Sequence, residues 1–518
     1  MNMTKSDRRK LLLIGAATVV VILGAGRMWW AQSFRGYVSP QNARSISSPT
    51  PVVASKTNSK IDSKTKRRLD NLIALSHSAS AEVQADLLIT IASSNLIPDK
   101  KRRIELWNEA FLVASRVEEP VRKKSWATLV DTRAGFEQRA FDLQLDRLSI
   151  QTRAISGMIP LDPARAREMF QNVVLPKIQP LDCKDSLVPD FTSYYVMVVA
   201  IAQNCFTPEE VRAQAHIQFL SDQIEAASSV SQATAALKAV AGARLSDEEF
   251  SRVVLSLAKA FGQASADPRS FAFAVQREGL ISVTERFLSM LKKRDVPVDS
   301  LSTKVRDLIA QNLAGEVCSD AGWLKQQQAT LPPEIDHINV HFKSPITTED
   351  LRQLRFGAKS VDVEYWTTAK GKSLLQAAKG LRFAADGHQL SVEERKTEGW
   401  HQKLLAFLDQ LNSWDSASEL SEDDYFQQRC NMYRVLVDLC PDDSQRDAVL
   451  RAYGLYLKDA NRTYKGRIEW ISPVKDYLRI VQTKQQKMIQ SSLDPWLSSS
   501  DNMLRVYAEL SVLLKDVQ

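Results

Sequence analysis

The stretch "EEFSRVVLSLAKAFGQA", residues 248–264, decides the fold class. Phe250, Val253, Val254, Leu257 and Phe261 recur at the 3.6-residue spacing that puts them on one stripe of an α-helix. A strand would need alternation, and the polar residues fall between these positions as a helix demands. Ser246-Asp247-Glu248-Glu249 just before it is an S/T-x-x-E capping box, in which side chains satisfy the first orphan N–H groups. The same grammar recurs outward in both directions. Thr207-Pro208-Glu209-Glu210 and Ser391-Val392-Glu393-Glu394 are further boxes. Asp162-Pro163 and Asp267-Pro268 set a cap and then a proline in the first turn. Near the end, Met503, Leu504, Tyr507, Leu510, Leu513 and Leu514 form another helical stripe. "SYYVMVVAIAQ" (193–203) is apolar nearly all round and reads as a central buried helix. Only 18 of 518 residues are glycine, too few for a hairpin-rich sandwich or a glycine-loop nucleotide fold. The expected class is all-α.

The N-terminus has a different character. "RRKLLLIGAATVVVILGAGRMWWAQS" (8–33) holds an uncharged run, Leu11–Gly26, then Arg27 and the pair Trp29-Trp30. Extended through Ala31 it reaches membrane-spanning length, with Arg27 snorkelling and the tryptophans in the interface. Residues 1–10 then form a basic cytoplasmic flank, 11–31 a transmembrane anchor, and 32–66 a disordered linker rich in Ser, Thr, Pro and Lys. The alternative is a cleaved signal sequence, with small-residue exits at Gly24-Ala25-Gly26 or Ala31-Gln32-Ser33. Lys5, Arg8, Arg9 and Lys10 orient either version the same way, placing the body outside the cytoplasm.

Charge follows this division. The first seventy residues carry 13 Lys/Arg against 3 Asp/Glu, a surplus larger than the +7 of the whole chain, so residues 71–518 sum to −3. A pI near 9.0 therefore belongs to the leader, and a nucleic-acid partner is not expected for the body. An oxidising location permits disulfides. Among five cysteines, Cys430 and Cys440 lie ten residues apart on one helical segment, about 15 Å, too far to bridge. Cys183 and Cys318 both read as loop positions after helices and form the candidate bridge; the alternative is five reduced thiols.

Two segments are alike. "IASSNLIPDKKRRIELWNEAF" (91–111) and "AISGMIPLDPARAREMFQNV" (154–173) share a helix, an Ile/Pro/Asp turn and a second helix, with Asp99 matching Asp162 and Leu106-Trp107 matching Met169-Phe170. The pattern resembles the general class of tetratricopeptide- or HEAT-like helical hairpins over residues 67–260, and implies a stacked superhelix. "TLVDTRAGFEQRAFDLQLDRLSIQTRAI" (128–155) is similar to segments of bacterial secreted and envelope-anchored helical proteins, a resemblance that implies no activity. "QQQATLPPEIDHINVHFKSP" suggests a boundary at 326–346, with one short strand through Ile338, Val340 and Phe342. Two helical domains are expected, 67–325 and 347–518, with turns near 413–424, 441–444 and 472–473.

No motif for chemistry is complete. Gly371-Lys372-Ser373 is the tail of a phosphate loop, but Trp366 stands where its first glycine belongs. His337 and His341 lack a third ligand and read as solvent-facing. "SELSEDDYF" (418–426) lacks calcium-loop spacing, and Asp423 and Asp424 read as the acidic first turn of a helix. Nor does G-x-S-x-G occur. Trp107, Trp126, Trp323, Trp366, Trp400, Trp414, Trp470 and Trp496 read as core anchors, one per hairpin. The expectation is a non-catalytic, envelope-anchored binding or scaffold protein with protein or peptide partners and no metal or cofactor. The rival is an extracytoplasmic hydrolase whose carboxylates meet only in three dimensions.

Overall fold

A computed structural model describes residues 63–517 except 95, 118–142, 177–182, 184–187, 319–330, 352–353, 358–368, 415–421, 465–467 and 485–488. The anchor expected at 11–31 lies outside the described residues, among which no helix is long and apolar enough to cross a membrane.

The described chain is predominantly helical. Helices α1 (Ser63–Ser76), α2 (Ala81–Ser93) and α3 (Lys100–Ala114) open it. The first starts at Ser63, inside the segment expected as linker to residue 66, and its buried residues, Leu69, Leu72, Ile73 and Ser76, lie beyond that segment. Helices α4 (Arg147–Met158), α5 (Pro163–Gln171), α6 (Thr192–Asn204), α7 (Pro208–Arg212) and α8 (Ala215–Glu225) follow. Next come α9 (Val230–Ala241), α10 (Asp247–Gln263) and α11 (Pro268–Phe273), the last running into a single π-helical turn, Ala274–Glu278. Gly279 ends that turn at φ 74°, a left-handed conformation in which a side chain would be strained. Helices α12 (Leu280–Lys293) and α13 (Asp299–Leu313) complete the first half.

Caps behave as their sequences require. Asp99 and Asp162 each cap the second helix of the two similar segments, accepting from Lys101 N–H at 3.1 Å and Arg165 N–H at 3.0 Å. All three capping boxes are closed at both bonds. On α10, Phe250, Val253, Val254, Leu257 and Phe261 are buried, whereas Leu255, off the stripe, is 62% exposed. Within α4, a Cβ on Gly157 would fall 2.2 Å from the Trp107 ring, so only glycine lets α3 and α4 close over that indole.

The segment 326–346 departs from expectation. Pro333–Asn339 is a helix, α14, not a strand. Ile335 and Ile338 are buried three residues apart, while Val340 is 74% exposed, so the helical spacing, not the alternation, meets the core. The only strands among the described residues are β1 (Glu316–Cys318) and β2 (Arg355–Gly357), paired in parallel with Val317 opposite Phe356. Cys318 therefore ends a short strand, not a loop. Between them α15 (Thr348–Leu351) supplies one turn.

Helices α16 (Ala369–Arg382), α17 (Val392–Arg395), α18 (Glu398–Asn412), α19 (Glu422–Leu439) and α20 (Asp443–Tyr464) continue the chain. Helices α21 (Ile468–Lys484), α22 (Ile489–Leu497) and α23 (Asn502–Val517) end it. The turn expected at 472–473 is absent: Pro473 sits inside α21, where buried Trp470, Ile471, Val474 and Tyr477 carry one apolar stripe past it. That burial outweighs the single backbone bond a proline forfeits.

Packing runs mostly between near neighbours: α2 on α3, α3 on α4, α4 on α6, α6 on α8, α8 on α10 and α10 on α13. Later, α20 packs on α21 and α22, and α22 on α23, which then packs against α1. Residues 62–518 form one compact unit.

Candidate functional site

Two clusters of buried charge are the strongest chemical features. The first joins the beginning of the body to its end. Asp86 on α2 is 3% exposed, yet it carries a charge, because its two oxygens are shared between partners. Arg153 Nη1 of α4 donates at 2.8 Å and Lys475 Nζ of α21 at 2.7 Å. Burial alone would push this carboxyl up, but the two cations outweigh burial and hold it below its ordinary value. Burial pushes the Lys475 amine down, helped by Arg153 and opposed by Asp86. Tyr507 of α23 is buried in the same field, its hydroxyl without a hydrogen-bond partner among the described residues.

The second cluster is acidic. Asp146 caps α4, accepting from Ser149 N–H at 2.9 Å through Oδ1. Its Oδ2 is buried without a partner among the described residues. Burial lifts its pKa to about 6, and nearby Asp190 adds to the rise. Glu278, in the π-helical turn, is likewise pushed well up, first by burial and then by Asp190. Its Oε1 accepts from Ser231 Oγ of α9 at 3.1 Å, and that hydroxyl lies 3.5 Å from the Pro189 carbonyl, which sets the 188–190 segment beside it. A carboxyl whose pKa is raised is what a general acid requires. Here, however, Asp146 and Glu278 are 4% and 5% exposed, sealed under helices rather than lining an opening.

Asp146 has a sign that can be measured. An acid whose folded pKa is raised binds protons more tightly when folded, so stability falls as pH climbs from its ordinary 3.8 through about 6. Asn retains the cap and has no charge to desolvate. Asp146→Asn is therefore expected to stabilise the protein at pH 7 by about 1–3 kcal/mol, and to leave it unchanged near pH 3.5. Thermal melts from pH 3.5 to 7.5 read the difference; equal shifts at both ends would refute it.

The structure brings Cys183 and Cys318 together as a disulfide, with Cα atoms 5.0 Å apart at a sequence separation of 135. Cys205, Cys430 and Cys440 are buried, the last two on or at the end of α19. Burial pushes the Cys205 thiol up to about 11 and the Cys440 thiol up to about 12, so neither is an activated nucleophile.

Gly371, Lys372 and Ser373 lie within helix α16, not in a strand-to-helix loop. His337 is exposed on α14, but His341 is part-buried against Ser289 Oγ at 3.3 Å, and burial lowers its pKa. The pair is thus not uniformly solvent-facing. Asp423 and Asp424 fall in the first turn of α19. Trp107, Trp400, Trp414, Trp470 and Trp496 are all buried, while Trp126, Trp323 and Trp366 lie outside the described residues. Three of them tie helices together through the indole N–H: Trp400 to Leu381 O, Trp470 to Leu457 O and Trp496 to Gly454 O.

Sequence reasoning missed Asp86, Arg153, Lys475, Asp146 and Glu278. The only local signal was Asp86 within the apolar run "VQADLLITIA", a charge where a stripe expects none. No protein-family model, curated protein or solved structure matches the chain.

Proposed function

We propose that this protein is an envelope-anchored helical scaffold, held by residues 11–31 with its body outside the cytoplasm, that presents its surface to protein or peptide partners. Hairpin stacking of the tetratricopeptide or HEAT kind is the finer form of this reading: neighbouring helices bury their stripes against one another and leave outer faces for binding. The observation that carries the non-catalytic side is the sealing of Asp146 and Glu278. These are the groups whose protonation best suits acid catalysis, and they lie in packed interior.

The hydrolase reading keeps one specific support, namely that same pair, if an opening motion uncovers it. Complementation separates the two. A strain lacking the protein, supplied with the full chain carrying Asp146→Asn and Glu278→Gln, is expected to behave as with the unaltered chain. Loss of complementation by a variant that folds and accumulates normally would overturn the scaffold and favour the enzyme. Reporter fusions after Ser33 are expected to be active only outside the cytoplasm; activity confined to the cytosol would defeat the anchored orientation.

A further inference from the structure

His388 is held from both sides. It stands in the turn that leaves α16, where Ala384 N–H donates to His388 O at 2.9 Å, Gly387 N–H to Ala384 O at 3.0 Å and Leu390 N–H to Arg382 O at 2.8 Å. Phe383 and Gln389 form an antiparallel bridge across that turn. Within this frame His388 Nδ1 lies 2.6 Å from Asp386 Oδ1, and Nε2 lies 2.9 Å from Glu394 Oε1. Glu394 belongs to the next element. Its Oε2 closes the capping box of α17, accepting from Ser391 N–H at 2.8 Å and from Ser391 Oγ at 2.7 Å. One imidazole thus joins the turn to the helix start.

The protonation of this ring follows from counting donors. An ionised carboxylate only accepts, and a neutral imidazole has a single N–H. Carboxylates at both ring nitrogens therefore require the imidazolium, with a proton on each. His77 and His216 face one carboxylate apiece, Glu109 at 3.0 Å and Glu249 at 2.9 Å, which a neutral ring satisfies. Both acids beside His388 are ionised in neutral and mildly acidic water. Hydrogen bonds from the His388 backbone and then its ring hold Asp386 below its ordinary value. Those from Ser391, and then from His388, bring Glu394 down to about 2. In return Glu394 first and Asp386 second raise His388 above its ordinary 6.5, and these two are the charged groups that act on the ring. Arg395, the next residue along α17, is engaged elsewhere, donating to Ser391 O at 3.3 Å and to Leu439 O at the end of α19 at 2.9 Å.

We infer that Asp386, His388 and Glu394 form a pH-operated clasp, which fastens the 383–391 turn to the start of α17 while the ring carries two protons and releases one carboxylate when it loses one. A neutral ring turns a lone pair toward one of its two partners, and that contact becomes repulsive. A group raised in the folded state contributes fully below its ordinary 6.5, and the contribution is lost as pH climbs through the higher folded value. The clasp is therefore closed in mildly acidic surroundings and opens above 6.5. Through Arg395 the same helix start is tied to the end of α19, so the loosened turn borders a second element. The inference goes beyond the scaffold reading and holds wherever the body resides.

The test uses the full chain with carbon-13-labelled histidine, titrated by NMR, and His388→Gln assigns the resonance by removing it. The midpoint is expected above 6.5. It is expected to fall toward that value in Asp386→Asn and in Glu394→Gln, the second of which keeps the capping box because glutamine also serves there. Thermal melts confirm that each variant folds. Amide exchange over residues 384–390, corrected for the intrinsic effect of pH, is expected to be roughly two- to fivefold faster at about pH 8.5 than at about pH 5.5. In His388→Gln the corrected rates are expected to be equal. A midpoint at or below 6.5, or one that both acid variants leave in place, would overturn the bridge. A raised midpoint with equal corrected exchange at both pH values would overturn the clasp, as would an unchanged pH dependence in His388→Gln.

Discussion

Asp86→Ala is expected to lower stability by about 3–5 kcal/mol, because it leaves the Lys475 amine buried with no counter-charge and beside Arg153. Lys475 reaches from α21 to Asp86 on α2, and burial disfavours its charge once that partner is gone. Arg153 has the further contact to Gln144 O at 3.3 Å and suffers less. The companion Asp86→Leu/Lys475→Met, which replaces the pair by apolar groups, is expected to recover most of the loss, since a buried pair is worth little net until one partner is removed. Denaturant melts at pH 7 check both. A single variant within 1 kcal/mol of the unaltered protein would mean the cluster is solvated and does not clamp the two ends. The sign with pH is fixed as well. A carboxyl held below its ordinary 3.8 contributes fully above that value, and the contribution is lost as pH falls through its folded pKa.

Removing the Cys183–Cys318 bridge comes next in size. It closes 135 residues, and the chain-entropy argument sets about 5 kcal/mol as the ceiling, with 2–5 kcal/mol the usual yield. The bridge fastens the segment before α6 to β1, and β1 packs on α11 and α13, so its loss frees the strand pair along with the turn at residue 183. Cys183→Ser/Cys318→Ser and the reduced native chain are both expected to melt earlier by the same amount. A difference under 1 kcal/mol between oxidised and reduced protein would show that packing alone holds these elements.

Helix type, caps and several boundaries were readable because they are decided within a few residues. Asp99 and Asp162 each reach an N–H two or three positions on, and the boxes at Thr207, Ser246 and Ser391 close within one turn. The strand expected through Ile338, Val340 and Phe342 failed where two periods overlap: Ile335 and Ile338 fit a helix as well as Ile338 and Val340 fit a strand. Only the identity of the buried neighbour decides between them. Pro473 misled in the same way, since a strong stripe tolerates one missing bond. Of the charge clusters, the sequence showed no more than Asp86 standing inside an apolar run. Asp86 and Lys475 are 389 residues apart, and Asp146, Asp190, Ser231 and Glu278 come from four separate segments. Their meaning arises only from burial, which a linear pattern does not encode.

The closing of α23 over α1 has a consequence for biosynthesis. Leu69, Leu72 and Ile73 leave the ribosome early, yet part of their cover is supplied by residues 502–517. At about 5–20 residues per second, that apolar strip waits roughly half a minute or longer for its lid. During that interval the nascent chain is a client for holdase chaperones, and messages broken near their 3′ end would yield polypeptides marked for proteolysis by the strip left bare.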